Sequence, residues 1–350
     1  MVKRAVFAVP GDLDTPTGGY AYDRRIIAEL RRLGFAIEVI NLGDGFPRPG
    51  SDTKAAALAA LACVQTGSPV IIDGLAYGAL PELAGVFCKT RRVIALVHHP
   101  LALETGLSED AAAQLRASER AALAAASRVV VSSKTTARLV AFDYGVPRDR
   151  ITVAPPGADR VARAQGNAAG PVALLAVGSL VPRKGHDVLI AALADVADLD
   201  WRLVIAGARD RDPATAERLS ARITSLGLDT RVTLVGAVAP ERLAELYATA
   251  YLFVLASRFE GYGMAFAEAA SYGLPIIGTT AGAIPEAVPA GAGLLVPPDD
   301  VPALTAALRR LIGDRGERER LARAACRAAD RLPTWEAAAR LVAETIEAVA

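Results

Sequence analysis

Cysteine is scarce in this chain. Cys63, Cys88 and Cys326 are widely separated and odd in number, which leaves neither a disulfide framework nor a metal-ligand spacing. They are expected to be small buried apolar residues in a reducing cytosol. An excess of charge of either sign is also missing. The 39 Lys and Arg are balanced by 38 Asp and Glu, for a net charge of +1, which speaks against a nucleic-acid binder. Hydrophobic residues make up 52% of the sequence, too many for a disordered chain. Long apolar runs are absent: the run from Ala5 to Pro10 stops at Gly11-Asp12 and is too short for a signal-peptide core or a membrane span. No internal repeat is evident. The first strand-to-helix turn holds no Gly-x-Gly-x-x-Gly, which counts against a dinucleotide oxidoreductase.

What is present is a regular alternation of short apolar runs with amphipathic helical runs. Strands are expected at Arg4–Val9, Ala36–Ile40, Pro69–Ile72, Arg92–Val97, Arg128–Val131 and Ile151–Val153. Helices between them are expected at Tyr20–Leu33, Thr53–Val64, Glu109–Ala125 and Ser133–Tyr144. A second series follows, with strands at Val172–Val177, Trp201–Ala206, Val232–Val235, Leu252–Leu255, Pro275–Gly278 and Gly293–Val296. Its helices fit Asp187–Ala194, Pro213–Leu226, Pro240–Thr249, Val301–Ile312 and Glu317–Arg331. The pattern is α/β: two Rossmann-like, doubly wound parallel sheets. The 350 residues allow two domains with a core each. Ala154–Arg160 and Ala164–Pro171 form the expected linker, so the domains are placed at 1–165 and 166–332. Residues 333–350 form a final amphipathic helix after a proline. Two such domains facing each other would put a site in the cleft between them, at the carboxyl ends of their strands.

The most informative stretch is Arg258-Phe-Glu-Gly-Tyr-Gly-Met-Ala-Phe-Ala-Glu268, directly after an apolar strand. Gly261 and Gly263 let the backbone approach a ligand, and the helix start beyond them offers unpaired N–H groups to an anion. Glu268 lies roughly 7.5 Å along that helix, among Ala and Phe, where a carboxylate needs hydrogen-bond donors such as sugar hydroxyls. A phosphate with hydroxyls on either side is the outline of a nucleotide-sugar. The segment resembles the donor-site signature of the retaining family-four glycosyltransferases (glycosyl transferases group 1), which have the GT-B fold. That signature is Glu, seven residues, Glu, with Gly-x-Gly after the first. By resemblance, Glu260 would contact donor-sugar hydroxyls, Glu268 the ribose, and the amides from Gly261 through Tyr262 to Gly263 the sugar or diphosphate. The final helix would pack back on the first domain, as in other GT-B proteins.

Other segments fit the same picture. Arg183 and Lys184 stand at a strand-to-helix turn with Gly185 behind them, a good diphosphate clamp that could stabilise a departing nucleotide. This stretch also resembles the family's phosphate-binding segment, although many members carry Arg where Ser179 stands. Gly18 and Gly19 open the first helix and resemble the family's N-terminal Gly-Gly loop. His98 and His99 follow a strand's carboxyl end, where an open α/β sheet has its crevice. The family places a histidine near the transferred sugar, and His98 matches best, with His99 second. A metal reading is poor, since adjacent histidines rarely point at one ion and no acidic partner has the needed spacing. His186 is expected to be an ordinary loop residue. Asp73, Tyr77 and Glu104 lie beyond strand ends in the first domain, which holds the acceptor in GT-B enzymes. Val235 and the Gly207–Asp212 loop occupy places where the family holds the nucleobase. Ala281-Gly-Ala-Ile-Pro-Glu286 resembles a Gly-Gly-x-Pro-Glu turn with Ala283 for the second glycine, which requires a negative φ there.

The resemblance implies a metal-independent retaining hexosyltransferase with a UDP- or GDP-linked donor, no cofactor, and a small-molecule, glycan or lipid-linked acceptor. Two other readings remain: a GT-B sugar-nucleotide epimerase, and a non-catalytic two-domain sugar- or nucleotide-binding protein. The expected location is the cytoplasm. Arg24, Arg25, Arg31 and Arg32 on one helix form either a solvated face, the favoured reading, or a weak contact with an anionic inner-membrane surface.

Overall fold

The computed structural model describes residues 3–164 and 170–350. It divides into two compact units, Met1–Gly157 with Pro333–Ala350, and Ala158–Leu332. The domain boundary expected at 165/166 lies outside the described residues. The last helix, Trp335–Glu347, belongs to the first unit.

In that unit the strands are β1 (Lys3–Val9), β2 (Phe35–Asn41), β3 (Pro69–Asp73), β4 (Arg92–Val97), β5 (Arg128–Val131) and β6 (Ile151–Val153). They form one parallel sheet in the order β2-β1-β3-β4-β5-β6. In the second unit β7 (Val172–Val177), β8 (Trp201–Ala206), β9 (Val232–Gly236), β10 (Leu252–Val254), β11 (Ile276–Thr279) and β12 (Gly293–Val296) form a second parallel sheet, ordered β12-β11-β10-β7-β8-β9. The central strands are buried on both faces, which is why they appear in the sequence as continuous apolar runs. Val70, Ile71 and Ile72 in β3 and Leu252, Phe253 and Val254 in β10 are all within 1% of full burial.

Several helices start where the side chains supply caps. Thr17, Ser108 and Ser133 accept from the backbone N–H three residues on in the first unit, and Asp212, Asp300 and Asp314 do so in the second, each satisfying an orphan donor of the first turn. Each sheet reverses its winding once, between β1 and β3 and between β7 and β10. A crevice forms outside the carboxyl ends of strands at such a reversal. The loops that follow β1, β3, β7 and β10 therefore border these crevices. Among the described residues, no helix is long and apolar enough to cross a membrane.

Candidate functional site

In the second unit the loops after β7 and β10 meet at the reversal. The chain leaves β7 at Gly178, makes the short turn Pro182–Lys184 and enters the helix His186–Ala194 through Gly185. Gly185 has φ +62, and a Cβ there would lie 2.0 Å from the Ala256 carbonyl oxygen. Only glycine allows this approach, which brings the Arg183-Lys184 turn against the β10 exit. There Glu260 receives three donors. Lys184 Nζ is 2.7 Å and Ser257 Oγ 2.6 Å from its Oε1, and Arg183 donates to its Oε2 at 3.1 Å. Arg183 also donates to the Phe259 carbonyl at 3.0 Å. Burial alone would raise the Glu260 pKa, but Lys184 and Arg183 outweigh it and bring the carboxyl down to about 2. The two cations expected to form a clamp are thus tied to the carboxylate expected to meet the sugar, and the three together carry one net positive charge.

The rest of the loop is held from outside the crevice. Arg258 pairs with Asp187 and Asp299 at 2.7 Å each, and its N–H donates to the Arg183 carbonyl. Ala283 N–H donates to the Glu260 carbonyl at 2.9 Å. Ala283 itself has φ −95, so its methyl group replaces a glycine without strain. Gly261 and Tyr262 are buried, and burial, with Glu286 nearby, pushes the Tyr262 phenol up to about 12. Gly263 has φ +97 and opens the helix Met264–Ser271, whose start has no side-chain cap and no acidic residue in its first turn. Its free N–H groups can receive an anion.

Further along this helix, Glu268 is half-buried. Its Oε2 accepts from the Tyr247 hydroxyl at 2.9 Å, and the Tyr247 ring is stacked on Tyr272 with centroids 5.1 Å apart. Burial holds the Glu268 pKa above the usual carboxylate range, against the Tyr247 hydrogen bond. Val235 is half-buried near the end of β9, just before Gly236 at φ +73. His186 is not a loop residue, as expected, but the first residue of its helix and 3% exposed. Its Nε2 lies 3.2 Å from the Gly178 carbonyl. Burial lowers its pKa to about 4, so it is a neutral structural group.

In the first unit the loop after β1 leads through Thr17, whose hydroxyl accepts from Tyr20 N–H, into the helix Gly18–Arg32. Gly19 faces His98: a Cβ there would stand 3.2 Å from His98 Cδ2. His98, just past β4, directs Nε2 to Asp23 Oδ1 at 3.0 Å and to Asp73 Oδ2 at 3.3 Å. No acidic partner for this histidine was expected, and the fold supplies two. Asp73 is 3% exposed and its other oxygen caps the short helix Gly74–Tyr77 at Leu75 N–H. Asp73, expected beyond a strand end at the acceptor side, is instead turned inward, with both oxygens engaged by His98 and Leu75. Tyr77 is corrected as well. It is fully buried in the core, and its hydroxyl donates to the Ala122 carbonyl at 2.7 Å. His99 Nε2 and Glu104 Oε2 are 3.4 Å apart, both partly open to solvent. The arginines of the first helix take part in contacts inside this unit. Arg24 and Arg31 donate to the carbonyls of Thr15 and Ile37, Arg25 lies over the Trp335 ring, and Arg32 pairs with Glu29.

Comparisons with known proteins bear on the family and the fold. The family model described as Glycosyltransferase Family 4 matches residues 71–161, and that described as Glycosyl transferases group 1 matches residues 159–327. D-inositol 3-phosphate glycosyltransferase of Nocardia farcinica is 33% identical over 219 residues, which is 58% of this chain and 49% of that protein. The chain thus spans about half the length of that curated relative. Sucrose-phosphate synthase from Thermosynechococcus elongatus superposes with a TM-score of 0.82 at 21% identity, covering 99% of each chain. Anabaena HepE in complex with UDP-glucose superposes with a TM-score of 0.76 at 19% identity, covering 98% of this chain and 99% of that one. The two parallel six-stranded sheets are those of the GT-B fold. With its two family models running together from residue 71 to residue 327, the chain belongs to the family-four, group 1 glycosyltransferases.

Proposed function

We propose that this protein is a glycosyltransferase that moves a sugar from a nucleotide-diphospho-sugar to an acceptor hydroxyl with retention of the anomeric configuration. It uses neither metal nor cofactor and acts in the cytoplasm, on a small-molecule, glycan or lipid-linked acceptor. The observation that carries this reading is the Arg183–Glu260–Lys184 cluster at the reversal of the second sheet, close in the chain to the uncapped helix start after Gly263.

The chemistry follows from charge. The bond between the anomeric carbon and the diphosphate oxygen breaks as the acceptor oxygen bonds to that carbon on the same face. Negative charge grows on the leaving phosphate, and Arg183, Lys184 and the helix-start amides stabilise it. The acceptor proton passes to that phosphate, so no separate base is required. Glu268, held by Tyr247, has its other oxygen to offer the ribose. Relatives support the donor class: solved neighbours contain UDP, UDP with glucose, and UDP-glucose.

A thermal-shift screen in EDTA with UDP, GDP and ADP, alone and with their common sugars, tests the reading. One nucleotide at about a hundred times its Kd is expected to add roughly 2.7 kcal/mol of stability. Glu268→Ala is expected to weaken that nucleotide. A folded sample that responds to none of the three would overturn the proposal.

A further inference from the structure

Asp23 carries no motif, yet it is completely buried and touches His98 at the crevice of the first sheet. We propose that Asp23, together with Asp73, is a positioning residue for His98, fixing the ring with its Nε2–H turned into the protein and presenting Nδ1–H, as part of an imidazolium, to an oxygen of the substrate. This rests on the glycosyltransferase reading.

Three observations carry it. First, one ring nitrogen faces two carboxylates, at 3.0 and 3.3 Å. Burial pushes the Asp23 carboxyl up to about 7 against the pull of His98, so both carboxyls hold their charge only with a cation beside them. Second, Asp23 Oδ2 is buried with no hydrogen-bond partner, so His98 is the group that offsets this charge. Third, the ring cannot turn away. Tyr22 packs edge-on with centroids 5.3 Å apart and planes at 78°, and the Gly19 backbone closes the Cδ2 side. Nδ1, in contrast, makes no hydrogen bond to the described residues.

The titratable groups facing the ring are Tyr22 and Asp23 from the first helix and Asp73 from the end of β3. The end of β5 adds the Ser132 hydroxyl, which donates to the His98 carbonyl, and the neighbouring His99 faces Glu104 instead. Burial opposes the charge on His98, but the two carboxylates push its pKa up to about 10. A group that keeps its proton near neutral pH acts as a hydrogen-bond donor and not as a base, in keeping with a leaving phosphate that takes the acceptor proton.

Histidine-selective NMR on the whole chain provides the test, since only three histidines are present and His98→Gln assigns the signal. In the wild type His98 is expected to stay an imidazolium to about pH 9, and in Asp23→Asn to titrate nearer the ordinary value of about 6.5. With the donor identified by the nucleotide screen, Asp23→Asn is expected to lower kcat at least about ten-fold, to leave the donor KM within about two-fold, and to make the rate fall as pH rises through the new, lower pKa. Asp73→Asn should act in the same direction and serves if Asp23→Asn does not fold. A neutral His98 in the wild type at neutral pH would overturn the proposal, as would a titration unchanged in both variants. Broadening of the His98 signals by Mn²⁺, reversed by EDTA, would overturn it too, because the cluster would then hold an ion. If nucleotides bind and these NMR results fail, only this inference falls; if no nucleotide binds, the functional reading falls.

Discussion

Glu260, in the loop after β10, and His186, at the start of the helix after β7, lie on either side of the Arg183-Lys184 turn and respond to acid in distinct windows. His186 has its pKa lowered to about 4 by burial, so its neutral form stabilises the fold above about pH 6.5, and that contribution declines as pH falls towards 4. Glu260, lowered to about 2, contributes above its unfolded value of about 4.3, and its share is lost as pH falls from there towards 2. The second unit should therefore lose up to about 3 kcal/mol between pH 6.5 and 4 from His186 alone. Urea unfolding at stepped pH checks this: His186→Gln should flatten that limb and leave the Glu260 limb below it. At this scale the sequence was least legible. Asp23 lies 50 positions before Asp73 and 75 before His98, and only the fold brings them together. Tyr77 misled because a residue after a strand end was taken to face the crevice, whereas the turn Gly74–Tyr77 rolls it into the core.

Among the elements, the turn between β7 and its helix is the most constrained. Gly185→Ala must place a methyl group against the Ala256 carbonyl while holding a left-handed φ. The substitution is expected to cost about 3 kcal/mol or more, from αL strain and overpacking together, and to pull Lys184 away from Glu260. Denaturant titration gives the first effect, and the nucleotide-induced thermal shift the second. Elements with a clear burial pattern could be read directly from the chain. β4, β5, β6, β7, β8 and β12 and the helices Glu109–Ala125 and Pro240–Thr249 have the expected ends, because continuous apolar runs and amphipathic stripes follow from two-sided and one-sided burial respectively. The short helices Gly74–Tyr77, Val86–Thr90 and Ile284–Ala287 were missed, since a single turn never repeats its apolar stripe.

For the whole molecule, the important feature is that the first unit is assembled from both ends of the chain. The helix Trp335–Glu347 lies on the helix Gly18–Arg32. Trp335 meets the Tyr22 ring edge-on at 5.8 Å and the Arg25 guanidinium, and Thr345 hydrogen-bonds Thr152 of β6. Gly157 lies so close to Trp335 N that a Cβ there would stand 2.1 Å from it. Trp335→Ala is expected to destabilise the first unit by about 3–5 kcal/mol. Hydrogen exchange should then accelerate in the helix Gly18–Arg32 and in β6 and remain unchanged in β7 to β9. Faster exchange throughout both units would show that they unfold as one.

The second unit has its own indole. Trp201 in β8 is 1% exposed, under the Arg231 guanidinium at 4.0 Å. These are the chain's two tryptophans, one to each unit, and both are buried. The protein therefore contains a matched pair of intrinsic fluorophores. Replacing Trp201 with Phe leaves emission that follows the first unit alone, and replacing Trp335 with Phe leaves the second, so the two halves can be watched separately through unfolding or ligand binding without an added label.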